Sequence, residues 1–417
     1  VASSVAFTGT EQVGETLTRT YNYSDADGDA EGVSTTQWYR ADDGSGTNEA
    51  AISGATSSTY TLVSADEGKF IRVGVTPVAA TGTSPGTEAF SSYTGAIAAP
   101  ASTDFTFTVE TTTTDEDFQL GLVPAGSYSI DVDWGDGNSD TITAYDDAAA
   151  THTYATAGEY TVTISGTMTL WSYQPLGFPA SRNLITAVTN WGDVGITTLD
   201  DAFYSCFGLA SVAAGCWETS GANYSEAFRD CPLASIPTGF ITSAPNVTNG
   251  SQLFFGTDLT ALPSDLFDNL AALQAGNSMF QNCTSLMTIP AGVFDSLTAL
   301  ADISIMFAGC TSLTALPDNL FANSPLTTAV GVFINLSSLT DLDFGGWNWS
   351  NVTNASLFLS GATINTTDYN NSWIGIDAQS LQSSVAFHGG NSVATGAGLT
   401  ARNNVISTYG WTVTDAS

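Results

Sequence analysis

The chain has 417 residues, enough for two to four domains, and 43% of them are hydrophobic, so a buried core is within reach. Against 41 acidic residues stand only seven basic ones, for a formal net charge of −34. No basic patch can be assembled from that supply, which excludes nucleic-acid binding and disfavours an anionic membrane surface, and no apolar run reaches the ~18 residues of a membrane span.

Residues 1–98 read as a β-sandwich. Candidate strands are Thr16–Tyr23, Thr35–Arg40, Thr59–Val63 and Phe70–Val78, separated by polar, turn-rich stretches. Within this segment Asp25, Asp27, Asp29 and Glu31 alternate along one loop. Alternate carboxylates can converge on calcium, a hard cation that takes oxygen ligands. An EF-hand loop needs Gly and an acid where Ala30 and Thr36 stand, so that reading fails. A different calcium site and a plain acidic turn remain, and Asp and Gly are ordinary turn formers. Trp38 and the run Asp66-Glu-Gly68-Lys-Phe70-Ile-Arg72 resemble the core tryptophan and the tyrosine corner of an immunoglobulin-like fold. Phe70 replaces the corner tyrosine and Arg72 the cysteine. The resemblance implies a disulfide-free, bacterial-type Ig-like module that works as spacer or binder.

A small, proline-marked linker is expected at 98–103. Residues 104–167 read as a second sandwich, in which Phe105, Phe107 and Val109 alternate, as do Tyr128, Ile130 and Val132. Asp133-Trp134-Gly135-Asp136-Gly137, followed by His152-Thr-Tyr154 and Gly158-Glu-Tyr160-Thr-Val162-Thr-Ile164, resembles the polycystic-kidney-disease (PKD) domain. That resemblance implies a core tryptophan and a tight turn at Gly-Asp-Gly. His152 with Asp136 invites an acid–base reading, but no nucleophile accompanies them, so a structural histidine is expected.

From 203 to 358 the chain repeats. Phenylalanine returns at 203, 228, 254, 280, 307 and 333, in steps of 25, 26, 26, 27 and 26 residues. Most are followed by a Leu-x-x-(Leu/Ile) segment, closed by proline in four copies, as at Leu262-Pro263 and Leu316-Pro317, and then by Phe240, Phe267, Phe294 or Phe321. One such unit cannot bury its own apolar face, whereas stacked copies form continuous internal ladders. The segments before the prolines suit short parallel strands in one sheet, and those after them suit a turn or two of helix. Cys206, Cys231, Cys283 and Cys310 share one repeat position, which favours a buried thiol ladder over the disulfides Cys206–Cys231 and Cys283–Cys310. The run from Phe307 to Phe321 resembles the BspA-type leucine-rich repeat of bacterial surface proteins, over roughly residues 184–415. The resemblance implies an extracellular recognition surface without catalytic residues. Trp171, Tyr173, Leu176 and Phe178 are expected to cap one end of the stack, and residues 359–417 the other.

The expected fold class is therefore mainly β: Ig-like (1–98) and PKD-like (104–167) β-sandwiches, then a leucine-rich-repeat solenoid with its cap (184–417). No catalytic constellation stands out, since the chain has two histidines, one lysine, and neither zinc spacing nor a phosphate loop. Trp347, Trp349 and Trp373 could stack on sugar rings or anchor a protein, or could equally be core. Calcium is the one cofactor the residues suggest. The leading expectation is a non-enzymatic extracellular or cell-surface adhesion protein that meets a protein or glycan. A phage virion protein, fibre or capsid decoration, assembling with other virion proteins for host attachment is the second reading. The binding portion of a larger carbohydrate-active enzyme is the third. The chain opens on Val1 rather than Met, which fits a removed leader or a segment of something longer.

Overall fold

A computed structural model describes residues 1–82, 84–98, 103–177, 179–217 and 221–417. Two compact units emerge, residues 1–102 and 103–417. Four residues of the expected linker, 99–102, lie outside the described ones, as does Phe178.

In the first unit the alternating segments form strands β1 (Ala2–Thr8), β2 (Thr16–Tyr23), β3 (Thr35–Ala41), β4 (Ala50–Ala51), β5 (Thr59–Thr61), β6 (Phe70–Thr76) and β7 (Ala89–Phe90). They make two sheets, ordered β1-β2-β5 and β4-β3-β6-β7. Between them lie Leu17, Trp38, Leu62, Ile71, Val73 and Ile97. Trp38 is fully buried, stacks on Tyr60 at 5.8 Å and donates its indole N–H to the Ser57 carbonyl at 3.0 Å. The corner that lacks a tyrosine is held instead by the fully buried Asp66. Its carboxylate accepts from Arg40 Nε at 2.6 Å, the Tyr60 hydroxyl at 2.8 Å and the Val63 amide at 2.7 Å. A buried carboxylate is tolerated only with such partners.

The second unit opens with β8 (Phe105–Thr111), β9 (Glu116–Gln119), β10 (Tyr128–Asp133), β11 (Ser139–Ile142), β12 (Thr151–Tyr154), β13 (Gly158–Met168), β14 (Ile185–Asn190) and β15 (Ser211–Val212). One sheet runs β11-β10-β13-β8-β14-β15, and β12 pairs with β9. The turn after β10 needs Gly135: its φ is +79°, and a Cβ there would sit 2.5 Å from the Thr161 carbonyl oxygen. β14 lies antiparallel to β8 on one side and parallel to β15 on the other. Strands β8, β10, β11 and β13 thus share one sheet with β14 and β15, and one hydrophobic core continues from Phe105 to Trp411. Trp171 belongs to that seam, with ring contacts to Phe105 at 5.3 Å, Phe107 at 5.7 Å and Phe203 at 6.4 Å.

Beyond β15 the periodic phenylalanines stack. Successive ring centroids of Phe203, Phe228, Phe254, Phe280, Phe307 and Phe333 lie 5.7, 5.7, 5.8, 5.7 and 5.9 Å apart, with rings within 10° of parallel. All six are fully buried. A second stack runs through Phe267, Phe294 and Phe321 at 5.2 and 5.0 Å. Neighbouring turns are tied by backbone bonds such as Phe254 N to the Met279 carbonyl and Phe280 N to the Met306 carbonyl, both 3.0 Å.

The expected fold class is corrected here. The chain is a mixture of β structure and helix, and among the described residues no sheet closes or curls as a leucine-rich-repeat solenoid requires. Where short strands were expected, only isolated parallel bridges occur, for example Ala261 with Thr288 and Ala315 with Asp341. The helical turns expected after the prolines are plain turns. The chemistry explains both. Proline directly after Leu262, Ile289 or Leu316 removes the next donor and stops the ladder after one residue. On the other row of bridges, Asn223, Asn249, Asp302 and Asn354 each accept the amide two residues on (Ser225, Ser251, Ser304 and Ser356, at 2.9–3.0 Å). Such Asx turns pull the backbone out of the extended state.

The four aligned cysteines are free, buried thiols. Three donate to the carbonyl of the preceding stacked phenylalanine: Cys231 to Phe203 at 3.1 Å, Cys283 to Phe254 at 3.0 Å and Cys310 to Phe280 at 2.9 Å. Thr257, at the same repeat position, instead donates within its own turn, to the Phe254 carbonyl at 2.9 Å. A small donor suffices there, and burial pushes the Cys206 and Cys231 thiols up, far from thiolate reactivity.

The closing segment carries two helices that the β-rich composition hid, α1 (Thr366–Asp377) and α2 (Gly396–Tyr409), with a parallel strand pair β16 (Ala386–His388) and β17 (Thr412–Thr414). Asn365 caps α1 by accepting the Asp368 amide at 3.0 Å. Tyr369, Trp373 and Ile376 then lie on the buried face of α1.

Candidate interaction face of the turn array

In five of the six turns the residue after the stacked phenylalanine is turned outward; in the Phe307 turn it is Ala308, which is buried. The cause is backbone: positions two before and two after that phenylalanine adopt left-handed conformations. Asp201, Glu226, Gln252, Ser278 and Ile305 on one side, with Ser205, Asp230, Asn282 and Asn335 on the other, have φ between +53° and +62°. The outward row starts Tyr204, Arg229, Phe255, Gln281, and all four are half-buried.

Arg229 organises the row. Its guanidinium carbon lies 5.2 Å from the Tyr204 ring centre and 4.5 Å from that of Phe255, within cation–π range of both. Nη1 donates to Glu226 at 2.9 Å and also to Gln252, while Nε lies 3.5 Å from Asp230. An arginine clamped between two aromatic faces is stiff, so little conformational entropy remains to be lost when a partner docks. Farther along, Ile334 continues the row as a half-buried apolar side chain.

The residues singled out from sequence sit elsewhere. Trp347, Trp349 and Trp373 are fully buried. Trp347 and Trp349 stack at 6.4 Å and 8°, Trp349 donates to the Phe344 carbonyl at 2.8 Å, and Trp373 packs on Phe387 at 5.2 Å. These indoles close the core and present no ring face to a ligand, because a wide aromatic at the end of the phenylalanine stack gains most by burial.

The acidic loop is organised as a turn. Asp25 accepts the Asp27 amide at 2.9 Å, Asp29 accepts the Thr81 hydroxyl at 2.6 Å, and Glu31 accepts from Tyr21 and Ser34. The Ser34 and Tyr21 hydrogen bonds hold the Glu31 carboxyl below its ordinary range. Among the described residues no group of three or more His, Cys, Asp or Glu side chains is placed to hold a metal ion. His152 lies flat on Trp134 at 4.8 Å and 7°, with Nε2 2.9 Å from Asp136, an arrangement that fixes the end of a strand. His388 accepts the Gly390 amide at 3.1 Å.

Sequence reasoning missed the Tyr204–Arg229–Phe255 row. A signal existed: Arg229 is one of only seven basic residues and follows its periodic phenylalanine at the offset that holds aromatics in the adjoining copies.

Residues 2–92 match the family described as the AIR9 A9 domain, and an Ig-like domain occupies that part of the chain. No curated protein matches the chain. Among the described residues no helix is long and apolar enough to cross a membrane.

Proposed function

We propose that this chain is a non-enzymatic extracellular surface protein, in which the turn array of 203–358 offers its outward row to a protein or glycan ligand. The observation that carries this reading is the Tyr204–Arg229–Phe255 stack on a backbone locked turn to turn. Aromatic and arginine anchors supported by a rigid frame are the usual centres of binding energy at interfaces. The Ig-like domain over 2–92 fits the same setting, as a spacer or second binding module.

The test uses the full chain on a glycan array and on intact cells, with Arg229→Ala and Phe255→Ala beside it. Each variant is expected to stay folded, with Phe255→Ala costing under about 1.5 kcal/mol, and to lose at least about thirtyfold in affinity, the loss of about 2 kcal/mol that marks an anchor residue. Unchanged binding by both variants would remove the row from any recognition role.

A further inference from the structure

We propose that a cleft where the 123–125 loop and the 170–174 segment meet the first turn of the array binds an alkylammonium group, on a small amine or on a lysine side chain. The cleft has a volume of about 400 Å³, within the range of small-ligand pockets. Val123, Pro124, Leu170 and Trp171 supply apolar lining, and Asp200 and Asp201 supply two carboxylates to the same cleft. Among the described residues no basic one lines it. A cation with an apolar body is the complement of such a lining.

The two carboxylates differ. Asp200 Oδ1 accepts the Ser225 hydroxyl at 2.5 Å. The Asp201 side chain has neither hydrogen bond nor ion pair among the described residues, although its backbone is pinned. Its amide donates to the Ser225 carbonyl at 3.0 Å, and its own carbonyl accepts from the Ser172 hydroxyl at 3.4 Å. Arg229, the cation that opposes the local negative charge, is already engaged by Glu226 and Asp230. Burial, then Asp200 and Glu226, push the Asp201 carboxyl up to about 7. Asp201 is thus a fixed, half-buried carboxylate short of a counter-charge, and an ammonium group would supply it.

This site is separate from the outward row, so its failure leaves the adhesive reading standing, and the reverse. The probe is phenethylammonium, with 2-phenylethanol as its uncharged counterpart, titrated calorimetrically into the full chain. Phenethylammonium is expected to bind at least tenfold tighter than the alcohol at pH 8. Its affinity should fall about tenfold between pH 8 and pH 6, as a carboxylate that titrates near 7 takes up its proton. Asp201→Asn should abolish both differences. Asn tolerates the left-handed backbone at this position, so the variant keeps the fold. Nα-acetyl-lysine methylamide separates the sources: binding as tight as phenethylammonium assigns the cleft to a partner's lysine, and binding tenfold weaker assigns it to a free arylalkylamine. Equal binding of amine and alcohol, or equal amine affinity at pH 6 and pH 8, overturns the proposal.

Discussion

Replacing Phe280 by alanine tests whether the stacked rings hold the second unit together. The ring is fully buried, lies between Phe254 at 5.8 Å and Phe307 at 5.7 Å, and meets Phe267 edge-on at 6.2 Å. Truncating a core phenylalanine costs about 3–5 kcal/mol, and the upper end applies where the cavity cannot collapse. Collapse is blocked here because the backbones on either side are tied by Phe254 N to the Met279 carbonyl and Phe280 N to the Met306 carbonyl. Three aromatic contacts are lost as well, each worth about 0.5–1.5 kcal/mol within that total. The expected cost is therefore about 4–5 kcal/mol. Phe255→Ala, one residue farther on and half-buried, is the control and should cost under about 1.5 kcal/mol. Urea unfolding of the full chain, followed by tryptophan fluorescence and far-UV circular dichroism, measures both. Because residues 105–411 share one core, Phe280→Ala should shift the transition of the whole 103–417 unit. If Phe280→Ala shifts the midpoint no more than Phe255→Ala does, the stack does not carry the stability assigned to it.

Asp201 makes stability depend on pH. Its folded value, about 7, lies above the ordinary 3.8, so the folded state holds a proton that the unfolded state has lost. Stability therefore falls as pH rises from about 4 to about 7 and levels off above that. The full gap between the two values corresponds to about 4 kcal/mol, and solvent over this partly open carboxylate reduces the effect to on the order of 1–2 kcal/mol. Asp201→Asn should flatten that stretch of the stability–pH curve; a slope kept by the variant assigns it to another group. Gly135→Ala, which drives a Cβ to 2.5 Å from the Thr161 oxygen at φ +79°, should cost at least about 2 kcal/mol in the same urea assay. Native protein should resist iodoacetamide at Cys206, Cys231, Cys283 and Cys310, and its melting midpoint should not change with dithiothreitol. A reductant-sensitive midpoint would mean that at least one neighbouring pair is oxidised.

Strands in the first unit were legible because each reports a period of two against one core. The expected Thr16–Tyr23 is β2 to the residue, and β3 and β6 start where their alternation starts. The phenylalanine stack was legible for the same reason, a fixed period with one buried side chain per copy. What the turns do between those side chains was not. Whether Leu-x-x-Leu-Pro forms a strand depends on the donor that proline removes, and the other row of bridges is interrupted by Asx turns such as those at Asn249 and Asp302; these local bonds act on single residues. The helix at 366–377 had its signals in place, an Asn365 cap and Tyr369, Trp373, Ile376 at helical spacing. A Thr- and Asn-rich composition outweighed them.

The outward row was hidden for a different reason. Sequence periodicity says which residue is buried in each copy, but not which neighbour is thrown outward. That depends on left-handed residues two positions away, at which Glu226, Gln252 and Ile305 are unexpected by residue type. Large indoles drew the search for a ligand surface to Trp347, Trp349 and Trp373, and size is what draws such rings into a core. An arginine that lies across two aromatic faces gains from staying half-buried: desolvation strengthens its pull on both rings, while Glu226 and Asp230 keep its charge compensated. In a chain of net charge −34, one cation held firmly on a regular face stands out against its acidic surroundings. On the proposed adhesive reading, the row rather than the buried tryptophans is the surface to test.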